Sequence, residues 1–478
     1  MTRKIYCFFT LLCLYATCVA KDFQACVDEF CNRSAYKSAN ISILFRDLDS
    51  DSVIASFRPN SSVPTASTLK VITTATALET LGADFRFPTY LETDGEITNG
   101  ILNGNIYIRG TGDPTLGSRY LGDADFMPKW VKAIREAGIT QINGSIIADV
   151  SAYDPAEAIP YGWTREDIGN YYAAGVFPLC YNDNITTLFI NSGSIGSKAE
   201  ILSTDPFMPN VEFENYLTCG TGRDWLASCM PYSNLCTLSG NIVPNKGRWS
   251  IKIAMPNPPL LLAQNFAGAL NSNNIRVENA AKYSKQNDSL TNRKIIYTHY
   301  SVPLRDIIAE TNQQSNNMYA EQIFRLLGSE FVNKITSKPI LIADCIEYEK
   351  LFWRNIAIDL NSSFIYDGSG LSPQDAVSAS TLVSILTYMG KYSRFKNEWT
   401  ASLPISGKSG TLRGFLAETK LENKVIAKSG TTSRVKAYAG YINADDGHTY
   451  VFAVMVNNAN IKSKVVQHNI ANLLLNMF

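Results

Sequence analysis

Val63-Pro64-Thr65-Ala66-Ser67-Thr68-Leu69-Lys70-Val71-Ile72 is the stretch on which the reading of this chain turns. Pro64 and Thr65 are start signals for a helix. Val71, Ala75 and Leu78 follow at helical spacing, and Gly82 supplies a stop. Ser67 and Lys70 are three residues apart, so a helix puts them on one face, within reach of each other. A serine hydroxyl is a weak nucleophile until a neighbour takes its proton. A lysine amine does this only when burial or a nearby cation keeps it neutral. The first turn of a helix also leaves backbone N–H groups unpaired, able to hold a developing oxyanion. Taken alone, S-x-x-K also describes a surface serine and lysine on any helix, so the pair needs partners elsewhere in the chain.

The chain's 478 residues suit roughly two to four domains. Apolar residues make up 45% of it, enough for substantial cores. Lys plus Arg and Asp plus Glu number 43 each, and a net charge of zero gives no support to a nucleic-acid partner. Residues 1–20 read as an export signal. Arg3 and Lys4 form the charged start, Ile5 to Tyr15 the apolar run, and Cys18-Val19-Ala20 the small residues before a cut. Lys21 then begins the mature chain, which shows no second run apolar enough to anchor it in a membrane. Val465 to Phe478 reads as a packed final helix, because it lacks a basic face.

Removal of the signal takes Cys7, Cys13 and Cys18 with it and leaves seven cysteines, an odd number. Export permits disulfides, with Cys26/Cys31 and the Cys219, Cys229, Cys236 group as sources of pairs. No C-x-x-C occurs, and the three histidines are far apart, so neither a metal nor a cofactor is expected.

Along the chain, Lys21 to Lys37 reads as a helix. Ile41 to Phe45 and Val53 to Phe57 read as strands around Asp49-Ser50-Asp51. From residue 85 to residue 298 short β-like runs alternate with Gly, Asn and Pro, with one short helix from Trp130 to Ala137. This region reads as a β-rich insertion of two subdomains between a first part, 21–84, and a second part, 299–478. Helical patterns return at Leu304 to Glu310, Asn317 to Leu327 and Thr381 to Met389. Val425-Ile426-Ala427 starts a strand, and Val435 to Ile442 with Tyr450 to Val456 forms a hairpin around Asp445-Asp446-Gly447.

Two further motifs bear on Ser67. Ser315-Asn316-Asn317 precedes a helix and is, read alone, a helix cap. Its serine can also relay a proton between Lys70 and a leaving amine, and Asn317 can bond a substrate amide. Lys428-Ser429-Gly430-Thr431 follows a strand start. A strand edge can pair with an extended peptide and bring a backbone N–H opposite that of Ser67. Ser429 and Gly430 let substrate approach closely. Lys428 suits a free carboxylate and repels a proton on Lys70. Lys408-Ser409-Gly410-Thr411 has the same letters in a loop-like context, so Lys428 is the stronger candidate.

S-x-x-K, S-x-N and K-[ST]-G in this order resemble the signature of penicillin-binding proteins and serine β-lactamases. Within that superfamily the chain resembles the D-alanyl-D-alanine carboxypeptidase/endopeptidase group of low-molecular-mass penicillin-binding proteins, the penicillin-binding protein 4-like enzymes of peptidase family S13. The further matching segments are Arg109 to Leu116, Trp163 with Glu166-Asp167 and Tyr171 to Ala174, Glu310 to Glu321, Asp367 to Ser372, and Leu403-Pro404 through Leu412. Serine replaces the usual threonine at Ser429.

The resemblance implies an α+β fold, an antiparallel sheet flanked by helices and interrupted by a long insertion. It implies peptidoglycan stem peptides ending in D-Ala-D-Ala as substrate, β-lactams as covalent inhibitors, and a periplasmic or secreted location. Ser67 is then the nucleophile and Lys70 its base. Ser315 and Asn317 complete the catalytic set, and Lys428, Ser429, Gly430 and Thr431 bind substrate. Asp113 is a candidate contact for the substrate's side-chain amine, though it reads more readily as a turn residue before Pro114. A secreted β-lactamase shares these motifs, and Glu166-Asp167-Ile168-Gly169-Asn170 imitates the deacylating segment of one class. There, however, the S-D-N motif precedes that glutamate, whereas Ser315 here comes long after Glu166. A catalytically silent cell-wall binding protein of the same fold would not need all three motifs. A Ser-His-Asp hydrolase lacks its G-x-S-x-G elbow.

Overall fold

The computed structural model describes residues 22–222, 224–284, 293–332 and 338–478, so the expected export signal lies outside it. The N-terminal strands and the C-terminal hairpin form one sheet. Its order is Val53–Phe57, Asn40–Asp47, Thr449–Asn457, Val435–Asn443, Val425–Thr431, and every neighbouring pair is antiparallel. Side chains alternate across it. Leu44, Ala437, Ala439, Val451, Ala453 and Met455 enter one core, whereas Ile43, Phe45, Tyr438, Phe452 and Val454 enter the other. Both faces are apolar, so both must be covered. Helices Lys70–Leu81 and Ala379–Lys391 pack on the first, Phe23–Cys31 and Ser463–Met477 on the second.

The Lys70–Leu81 helix is buried continuously from Lys70 to Leu78. Its polar side chains are satisfied inside. Thr74 and Thr76 donate back to Lys70 O and Ile72 O, and Thr73 donates to Gly368 O at 2.8 Å. Gly82 ends it in the left-handed region, at φ 84°. Its start differs from the sequence expectation. Val63–Pro64 forms a two-residue strand against Ala376–Val377, Ala66–Leu69 is a 3-10 turn, and the α-helix begins only at Lys70. The reversal is made by Ala66 at φ 46°, a conformation alanine rarely adopts and no residue type announces.

The helix expected over 21–37 is shorter, Phe23–Cys31, because Asn32 caps it and Ser34–Tyr36 forms a separate turn. Cys26 and Cys31 are free thiols. Five residues apart on one helix, they point about 140° from each other. Cys229 and Cys236 form a disulfide between directly opposed strand positions, and Cys219 is free.

The region between the Lys70 helix and Leu304 holds two large apolar clusters, with a small third around Met208, Met255 and Leu261. One lies under a sheet of order Lys282–Ser284, Ile146–Asp149, Ile106–Arg109, Pro88–Thr93, Lys294–Tyr300, packed against helices Phe126–Glu136 and Pro258–Ser272. The other joins two three-stranded sheets around Leu188, Leu217, Leu238 and Ile253. The Pro258–Ser272 helix went unread in the sequence, although Asn257 caps it and prolines open it. The segment Trp163 to Tyr172 reaches back to the first core, where Trp163 is buried.

Candidate active site

Four elements meet at Ser67. The 3-10 turn Ala66–Leu69 carries it, and its side chain is half-buried. Lys70 opens the buried helix, so its side chain passes under the turn. Lys70 Nζ donates to Ser67 Oγ at 3.1 Å, to Asn317 Oδ1 at 2.7 Å and to the Ser369 carbonyl at 2.6 Å. Ser315 is the left-handed residue, φ 59°, that breaks helix Leu304–Gln314 from helix Asn317–Val332. This break sets Ser315 and Asn317 on the cleft side by side. Lys428 Nζ donates to Ser315 Oγ at 2.9 Å and to Ser429 O at 2.8 Å. A hydroxyl, two amines and a second hydroxyl therefore line one short arc.

The edge strand Val425–Thr431 is half covered. Ser406 N donates to Val425 O, and Ala427 N donates to Pro404 O, so the first half is closed by residues 404–406. The half carrying Lys428 to Thr431 stays open to a peptide. Thr432 N donates to Val435 O across the ladder. Antiparallel pairs alternate, so the Thr431 and Ser429 N–H groups point outward, away from the partner strand. Gly430 lies against the Ser67 turn. A Cβ there would sit 2.5 Å from Thr65 O and 3.2 Å from Ser67 N. The end of the strand that carries the outward Thr431 N–H is thus packed directly against the Ser67 turn.

Both lysines are fully buried. Burial pushes the Lys70 ammonium down to about 8, against the pull of the Asp367, Glu321 and Asp375 carboxylates. Burial pushes Lys428 well below the usual lysine range, and the charge of Lys70 pushes it further. The expected repulsion between the two amines is present, so protonation of either disfavours protonation of the other. A neutral amine at Lys70 can take the Ser67 proton, and the pair holds one proton more readily than two.

The other expected residues divide. Ser315 meets Lys428 rather than Lys70. Asn317 spends Oδ1 on Lys70 and donates one Nδ2 hydrogen to Tyr172 O at 2.8 Å, which leaves a second hydrogen for a substrate carbonyl. Ser429 Oγ donates to Thr411 Oγ1 at 2.7 Å. Lys408, the look-alike, is exposed in the turn before that threonine. Asp113 is not on the cleft surface. It is 1% exposed, its Oδ1 accepts from Thr115 N at 2.8 Å and Thr115 Oγ1 at 2.6 Å, and burial pushes its carboxyl up to about 6. It closes a turn, and contact with a substrate amine is closed to it. Glu166 is exposed, with its carbonyl accepting from Asn170 Nδ2.

Sequence reasoning missed three features. Ser369 holds Lys70 through a main-chain carbonyl, which every residue type possesses. Asp367 holds the Ser369 loop through three backbone N–H groups. Tyr172 also acts through a carbonyl. The Asp367 to Ser372 and Tyr171 to Ala174 segments stand out in the sequence only as resemblance.

The chain is similar to known proteins over most of its length. It is 28% identical over 413 residues to a D-alanyl-D-alanine carboxypeptidase of Actinomadura sp. (strain R39), covering 82% of this chain and 73% of that protein. It is 24% identical over 437 residues to the D-alanyl-D-alanine carboxypeptidase DacB of Haemophilus influenzae, covering 88% and 86%. Its fold is that of the crystal structure of penicillin binding protein 4 (dacB) from Haemophilus influenzae, with a TM-score of 0.76 at 21% identity, over 92% of this chain and 96% of that one. Residues 23–477 match the D-Ala-D-Ala carboxypeptidase 3 (S13) family, and the chain belongs to that family.

Proposed function

We propose that this chain hydrolyses the D-Ala-D-Ala ends of peptidoglycan stem peptides through an ester on Ser67. The observation that carries the reading is the Lys70 amine, buried and 3.1 Å from Ser67 Oγ, facing an open strand edge that ends in a second buried amine. The extended stem peptide pairs with the open half of the Val425–Thr431 strand. Its terminal carboxylate meets Lys428. That anion favours a charged Lys428, whose charge in turn drives the proton from Lys70.

Ser67 Oγ then attacks the penultimate D-Ala carbonyl while Lys70 takes the hydroxyl proton. The Ser67 and Thr431 N–H groups hold the oxyanion. As the C–N bond breaks, Lys70 gives up its proton to the departing amine, and D-Ala leaves. Water attacks the ester, returns a proton to Ser67 and frees the shortened peptide. The same attack on a β-lactam opens its ring with no fragment leaving, so Ser67 stays blocked. No helix among the described residues is long and apolar enough to cross a membrane. With the signal expected at residues 1–20, this supports an exported enzyme working at the cell wall.

Purified muropeptides incubated with the enzyme and read by mass spectrometry test the reaction. Loss of one alanine means carboxypeptidase, and conversion of cross-linked dimers to monomers means endopeptidase. Ser67→Ala is expected to abolish labelling by a fluorescent penicillin. Labelling that persists in the variant refutes the assignment of the nucleophile.

A further inference from the structure

Lys70 Nζ has three acceptors, and only one is the nucleophile. The other two, Asn317 Oδ1 and Ser369 O, fix where the amine points. Each is in turn held by the same short segment of the inserted region. Tyr172 O accepts from Asn317 Nδ2 at 2.8 Å. Trp163 Nε1 donates to Asp367 Oδ2 at 2.8 Å. Asp367 gathers the Ser369 loop, accepting from Ser369 N at 2.9 Å, Gly370 N at 2.6 Å and Ser372 N at 2.7 Å. The loop is pressed under the nucleophile turn as well, since a Cβ at Gly370 would strike Ala66 O.

We propose that Trp163, through Asp367, is a positioning residue for Lys70, so that the inserted region belongs to the catalytic apparatus rather than serving only to read substrate. The inference rests on the reading of Lys70 as the base. Its physical content is a chain of charge-assisted hydrogen bonds in a dry interior, where each bond is strong and a missing donor is costly. With the indole N–H gone, the Asp367 carboxylate keeps its backbone donors but loses its tie to the insertion. Asp367 and the Ser369 loop that it gathers can then shift together and carry the Ser369 carbonyl away from Lys70. Loss of an acceptor from an ammonium disfavours the charged form. The other charges facing Lys70 are the Asp367, Glu321 and Asp375 carboxylates and the Lys428 amine.

Trp163→Phe in the full chain keeps an aromatic ring in the pocket and deletes only the donor. Its second-order rate of acylation by a fluorescent penicillin is expected to fall about tenfold. The alkaline limb of its pH profile is expected to move to lower pH by half a unit or more. A purely structural role lowers the melting temperature and leaves that limb where it was. An unmoved limb overturns the proposal. Trp163→Gln, which keeps an N–H but loses the ring, provides the second variant. Acylation faster than in Trp163→Phe supports the donor, and acylation slower than in Trp163→Phe overturns it. Direct titration of Lys70, followed by carbon NMR of lysine labelled at Cε and assigned with Lys70→Arg, separates the two readings. A shifted titration in Trp163→Phe beside a native chain that penicillin never labels upholds the link and refutes the enzyme. Normal labelling of the native chain with an unshifted titration in the variant refutes the link alone.

Discussion

Gly430→Ala probes the oxyanion space directly. The added Cβ would lie 2.5 Å from Thr65 O, 3.1 Å from Thr68 N and 3.2 Å from Ser67 N. All three are main-chain atoms, so no side chain can swing away. Ordinary contact begins at 3.4 Å, which asks for a separation of about 0.9 Å between the strand and the Ser67 turn. Neither partner yields freely. The strand is laddered to Val435–Asn443, and the turn runs straight into the buried Lys70 helix.

Oxyanion donors work at about 2.7–3.1 Å from the developing charge, so a shift of this size takes one of them out of range. Removal of one donor costs about 10²–10³ in rate, or roughly 3–4 kcal/mol of transition-state stabilisation. The expected acylation rate is therefore about a hundredth of the native value. Overpacking adds a stability loss of about 1–3 kcal/mol. The assay is the time course of fluorescent-penicillin labelling over a range of concentrations, with the adduct mapped to Ser67 by mass spectrometry and folding checked by thermal melting. A Gly430→Ala enzyme acylated within threefold of the native rate means that the turn and the strand do not jointly form the hole.

Two further outcomes follow from the site and its surroundings. The reactive form of the Lys70–Lys428 pair carries one proton, drawn to Lys428 by the docked substrate carboxylate. The rate kcat/KM is therefore expected to be bell-shaped, falling at low pH once both amines are charged and falling above about 8, where Lys70 loses the last proton of the free enzyme; a rate still climbing at pH 9 contradicts a shared proton. Cys229 and Cys236, seven residues apart, close a short loop in the inserted region, and chain entropy assigns that bond about 2.5 kcal/mol. Replacing both by alanine is expected to hasten tryptic cleavage within residues 185–254 and to leave penicillin acylation within twofold of native; a loss of acylation shows that this subdomain supports the cleft.

The legible part of the protein was the part written in short range. Ser67 and Lys70 touch because they are three residues apart and the backbone turns helically between them. The alternation in Val435–Asn443 and Thr449–Asn457 is a period of two, visible in any stretch of nine residues. The strand before Lys428 and the loop around Lys408 likewise separate two identical four-letter motifs. Boundaries were less legible. Thr65 reads as a cap, yet its side chain makes no capping bond, because Ala66 turns the chain at a positive φ. Asp113 lies in one of the segments that carry the family resemblance, yet it faces inward, since sequence fixes neighbours along the chain and not the surface a turn presents.

The sequence by itself determined the residue types of the chemistry, the order of its three motifs and the strands and helices that bear them. Tertiary structure alone decided that Lys70 meets Asn317 across 247 residues and that Lys428 meets Ser315 across 113. It alone removed water from both amines and set the Ser369 carbonyl against Lys70 and the Tyr172 carbonyl against Asn317. The physical reason is that proton affinity depends on what surrounds a charge in space, and a backbone carbonyl has the same chemistry wherever it occurs.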